Sequence, residues 1–79
     1  MGISELSKVL SDQNLTVLEV EKVLQVLNDE LFIVMTIDPQ KSKPFTFTRY
    51  ARRLTYEQKV GIDSKMKEFQ DTPIENRFL

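Results

Sequence analysis

Residues 16–31 read Thr-Val-Leu-Glu-Val-Glu-Lys-Val-Leu-Gln-Val-Leu-Asn-Asp-Glu-Leu, and the fold turns on how they are taken. Thr16 and Glu19 have the spacing of a capping box, in which each side chain bonds the other residue's backbone N–H, and Leu15 with Val20 has that of a hydrophobic staple. Leu18, Val23, Leu24, Leu27 and Leu31 then recur near the helical period, while Val17, Val20 and Val26 widen the apolar surface. The stretch predicts a central helix packed against more than one neighbour.

On its N-terminal side, Ile3, Leu6, Val9 and Leu10 share one face of a first short helix with Ser4 as N-cap, and Ser11 to Asn14 read as a turn. On its C-terminal side, helical character fades at Asn28-Asp29-Glu30. Leu31 to Ile37, rich in β-branched and large apolar residues, predicts a strand that Pro39 stops. A second strand is expected from Phe45 to about Tyr50, with Phe45 and Phe47 on one face and Thr46, Thr48 and Tyr50 on the other. Asp38 to Pro44 between them makes a loop with Lys41 and Lys43 at a basic tip.

Ala51 to Leu54 then lead to a third helix, opened by a second capping box of Thr55 and Gln58. Its apolar stripe is broken, because Tyr56 and Val60 lie on a different side from Ile62, Met66 and Phe69. Gly61 between the two groups marks a kink or a change of packing partner. Asp71-Thr72-Pro73 ends the helix. The chain is thus expected to be an α+β protein: a helix-turn-helix followed by an antiparallel β-hairpin and a C-terminal helix. Residues 1–72 form one domain, and residues 73–79 a tail in which Phe78 and Leu79 have no evident core position.

Composition excludes more than it assigns. A chain of 79 residues has room for one modest core, and with no Cys and no His it has neither disulfides nor the usual zinc ligands. The same absence removes Ser-His and Cys-His nucleophiles, and two glycines cannot make a Gly-rich phosphate loop. The carboxylates lack the alternation of a calcium loop. No catalytic residue, cofactor or metal site is therefore expected. No apolar run approaches the length of a membrane span, and Glu5, Lys8 and Asp12 interrupt any signal-peptide pattern, so the expected location is cytoplasmic.

The net charge of −1 is unevenly spread. Residues 1–30 carry two cations against six carboxylates, a net of −4. Residues 31–59 carry six cations against two carboxylates, a net of +4. Such a polarised chain can steer a charged partner or bind a second copy of itself as a homodimer.

Two short helices, a tight turn and a β-hairpin resemble the core of a winged helix-turn-helix domain over residues 3–50. The resemblance rests on Ile3-Ser4-Glu5-Leu6-Ser7-Lys8-Val9-Leu10 as the first helix. It rests also on Leu24-Gln25-Val26-Leu27 at the end of the second, running into Phe32, Ile33 and Val34. It makes Asp38 to Pro44 the wing and implies a DNA-binding regulator. The second helix departs from that pattern, for Glu19, Glu21, Lys22, Gln25, Asp29 and Glu30 on its exposed side include four carboxylates, which phosphates repel.

The candidate site is Lys41, Lys43, Arg49, Tyr50, Arg52 and Arg53. These residues either anchor carboxylates of a protein partner or grip the phosphates of DNA or RNA, with Tyr50 as a stacking surface. The plainer alternative is that the charges keep an edge strand soluble. The expected function is a non-enzymatic protein–protein interaction module with a regulatory role. The alternative is a DNA/RNA-binding regulator of transcription that contacts phosphates through the wing.

Overall fold

The computed structural model describes residues 1–78 and is an α+β fold. Helix α1 (Ile3–Asp12) is followed by four strands, β1 (Thr16–Val20), β2 (Val23–Leu27), β3 (Ile33–Ile37) and β4 (Phe45–Phe47). A 3-10 turn (Arg49–Arg53), helix α2 (Tyr56–Asp71) and a short 3-10 turn (Ile74–Asn76) complete the chain. The strands form one antiparallel sheet in the order β1-β2-β3-β4, which leaves β1 and β4 as its edges.

The expected second helix is therefore a β-hairpin. Thr16 pairs with Leu27 and Val20 with Val23, so only Glu21 and Lys22 form the turn. Both have positive φ, 53° and 70°, as a two-residue hairpin of right-handed twist requires. Asn-Gly would announce such a turn; Glu-Lys does not. The capping-box spacing of Thr16 and Glu19 belongs to an edge strand. What favours the strand is the content of β-branched residues: Thr16, Val17, Val20, Val23 and Val26 stiffen χ1 and fit a pleated surface better than a helix. With residues 16–27 in strands, no helix-turn-helix is formed.

Cross-strand pairing places Val17, Leu24, Val26, Met35, Ile37, Phe45 and Phe47 on one face of the sheet. That face builds the core with Leu6 and Leu10 of α1 and Ile62 and Phe69 of α2. Between β2 and β3 the register slips, since Val26 pairs with Met35 but Leu27 with Ile33. Val34 is the extra residue of this bulge, and both it and Met35 are buried. The β2–β3 turn is built on buried Asn28, whose Oδ1 accepts from the backbone N–H of Glu30 (3.0 Å) and Phe32 (2.9 Å).

The first helix forms as expected, but Gly2 takes the N-cap position in place of Ser4. The capping box at Thr55 and Gln58 is present, and Gln58 Nε2 also donates to Gln13 O at the end of α1 (2.8 Å). Gly61 lies in an unbroken α2, and its role is a close approach, because a Cβ there would fall 2.6 Å from Gln13 Nε2. The strand expected to reach Tyr50 ends at Phe47. Thr48 turns the chain, accepting from Tyr50 N and donating its hydroxyl to Ile33 O in the bulged strand.

The segment set apart in sequence as a tail is packed into the fold. Arg77 is 2% exposed. Its guanidinium donates to Gln70 O (2.8 Å) and Thr72 O (2.9 Å) at the end of α2, and to Pro39 O (3.1 Å) and Lys41 O (2.7 Å) in the loop before β4. Its own carbonyl accepts from Ile3 N at the start of α1. The loop is thereby anchored, with Pro39 and Pro44 fully buried. Phe78 is half-exposed, and Leu79 lies outside the described residues.

Two variants test this architecture. Replacing Glu21-Lys22 with Asn-Gly (Glu21→Asn, Lys22→Gly) should raise the stability measured by urea unfolding by about 1 kcal/mol, since both positions demand φ > 0. In a helix the same change would lower it by a similar amount. Arg77→Met keeps bulk but strands four carbonyls, and should cost about 3 kcal/mol.

Candidate functional site

The six sequence candidates do not form one site, because the structure gives four of them other work. Arg53 binds Glu30 through Nη1 (3.2 Å) and lies over the Phe32 ring, 4.8 Å from its centroid. Phe32 in turn stacks on Tyr50, with centroids 4.6 Å apart and planes 7° apart. Arg49 donates to Tyr50 Oη (3.0 Å), and its guanidinium carbon lies over that ring, 5.0 Å from the centroid. The Arg49-Tyr50-Phe32-Arg53 stack thus pins the 3-10 turn to the β2–β3 turn. Lys41 pairs loosely with Asp38 (4.0 Å), while its backbone is held by Arg77.

Lys43 and Arg52 remain, and neither has a carboxylate partner among the described residues. They stand at opposite ends of an open groove between β4 and α2. The groove consists of two adjoining depressions, of about 450 and 340 Å³, that share Phe47, Asp63 and Met66. One end holds Arg52 with Lys59, and the other Lys43 with Lys67. Its floor is apolar, and Phe47 and Val60 are 52% and 57% exposed there. Four cations at the two ends thus flank an apolar floor that carries one carboxylate, Asp63.

Lys59, Val60, Asp63 and Lys67 were outside the sequence candidates. The signal for them was the broken stripe of α2: Val60 had no place on the line of Ile62 and Phe69, and that mismatch is where the helix faces the groove rather than the core. Lys59, Asp63 and Lys67, four residues apart in turn, run along that side.

The free edge of β4 borders the same groove. Asp38 N donates to Pro44 O (2.8 Å) and Thr48 N to Val34 O (3.1 Å), so the alternation of an antiparallel ladder directs residues 44, 46 and 48 inward, toward β3. The backbone N–H and C=O groups of Phe45 and Phe47 therefore point outward from the sheet.

Among the described residues, no group of three or more His, Cys, Asp or Glu is placed to hold a metal ion, and no helix is long and apolar enough to cross a membrane. No protein-family model, curated protein or solved structure matches the chain.

The division between structural and free cations can be measured. Tyr50→Ala should lower stability by about 2 kcal/mol through loss of the stack. Lys43→Ala and Arg52→Ala should each change it by no more than about 0.5 kcal/mol, all three read by thermal or urea unfolding.

Proposed function

We propose that this chain is a non-enzymatic protein-interaction module that receives its partner in the groove between β4 and α2. The observation that carries the reading is the exposure of Phe47 and Val60 on the floor of a groove with cations at both ends that have no carboxylate partners among the described residues. Cations that merely keep an edge strand soluble need no open apolar floor beside them. Interfaces combine an apolar, desolvated centre with a polar rim, and the groove has both. Regulation of a larger assembly is the use such a small module would serve.

A nucleic-acid partner would use the same cations and could stack a base on Phe47. It would leave Val60 and Met66 without a role, and the loop of residues 38–44, the counterpart of a wing, contributes only Lys43 to the groove. The reading does not lean on the winged-helix resemblance, since residues 16–27 offer no recognition helix.

The test is a random-peptide display selection on the purified protein, run beside titrations with mixed-sequence duplex and single-stranded DNA at low and moderate salt. Selected peptides should bind the protein at least roughly tenfold more weakly after Val60→Glu. DNA should not bind at moderate salt. Salt-sensitive, micromolar DNA binding that Lys59→Ala weakens would replace this reading with the nucleic-acid one. Selected peptides indifferent to Val60→Glu would remove the groove from it.

A further inference from the structure

Resting on the groove as the binding site, the geometry points to a defined occupant: an extended acidic segment of a partner protein, added as a strand to the free edge of β4. Two independent features carry this. The backbone groups of Phe45 and Phe47 are directed away from β3, the requirement for pairing with an incoming strand. The second feature is the placement of charge.

Helix α2 runs antiparallel to β4 along the groove, with Lys59 beside Arg52 at one end and Lys67 beside Lys43 at the other. Lys59 and Lys67 are eight residues apart, which on a helix is about 12 Å. In an extended strand, residues four apart are about 13 Å apart, and they project to the same face. A segment of the form acid–x–apolar–x–acid would therefore set each carboxylate between two cations and its central side chain against Phe47 and Met66, which both halves of the groove share.

Asp63 lies at that centre, in both halves of the groove. It opposes a carboxylate in the middle position and so fixes the register of the segment by repulsion, as the end cations fix it by attraction. A helical occupant would match the length of the groove but would leave the outward N–H and C=O groups of Phe45 and Phe47 unpaired. β-addition uses them.

The experiment titrates the ¹⁵N-labelled protein with two synthetic peptides, acetyl-Thr-Asp-Thr-Leu-Thr-Asp-Thr-amide and its rearrangement acetyl-Thr-Leu-Thr-Asp-Thr-Asp-Thr-amide. Binding is followed by amide shifts, and hydrogen exchange is measured at saturation. The first peptide should bind saturably, at least roughly tenfold more tightly than the second, and the Phe45 and Phe47 amides should gain protection. Lys59→Glu with Lys67→Glu should abolish that preference. Binding in the groove with no protection of Phe45 and Phe47, or with no preference between the peptides, overturns the strand assignment while leaving the groove as the binding site. No binding of either peptide, where the display selection has yielded groove-dependent binders, overturns the acidic pattern alone. If that selection has failed too, the reading beneath it falls. A self-associated protein whose Phe45 and Phe47 amides are protected before any peptide is added would make a second copy the occupant and contradict the proposal.

Discussion

Arg77 holds together the parts that no sheet pairing joins. A guanidinium removed from water is costly unless its donors are met, and here they are met by backbone carbonyls rather than by a carboxylate. Two of the four belong to the last turn of α2, where the helix dipole concentrates partial negative charge. The ring of Phe69 lies 5.1 Å from the guanidinium carbon and adds a cation–π contact. Because the other two carbonyls come from the loop before β4, one side chain sets the distance between that strand and the helix. Its carbonyl completes the first turn of α1. The spacing between β4 and α2, and so the groove, depends on this residue.

That dependence explains why the C-terminal residues escaped a reading by period. Ile74, Arg77 and Phe78 make no amphipathic repeat, and a charged side chain at the centre of a contact leaves no apolar signature. The elements that were legible have local causes. α1 has a clean apolar face, α2 announces itself with a true capping box, and the strand expected from Leu31 forms over Ile33–Ile37, stopped by Pro39, while Leu31 at φ 67° belongs to the turn before it. The turn at Asn28 was legible as the point where helical character fades.

Residues 16–27 were misread because almost every second or third residue there is apolar, and a segment so dense in Val and Leu satisfies the helical and the extended period alike. The deciding feature is tertiary. As strands, the segment lays Val17, Leu24 and Val26 on the face that meets the two helices, and lengthens the sheet to four strands. The cost is two left-handed residues at a turn without glycine. Of the site, the sequence showed the excess of positive charge in residues 31–59 but not its division. Only the fold separates Arg49 and Arg53, consumed in an aromatic stack, from Lys43 and Arg52, which look across a groove at Lys59 and Lys67.

One edge of the sheet is open: among the described residues β4 pairs with β3 on one side and with nothing on the other, beside a helix that carries cations at both ends of an apolar floor. Native-state hydrogen exchange of the free protein reads this directly. Thr46, facing Thr36 in the ladder, should exchange at least roughly a hundredfold more slowly than Phe45 and Phe47, whose N–H groups point away from β3. Equal, strong protection of all three amides would mean that the edge is already covered in the free protein, and would contradict the account.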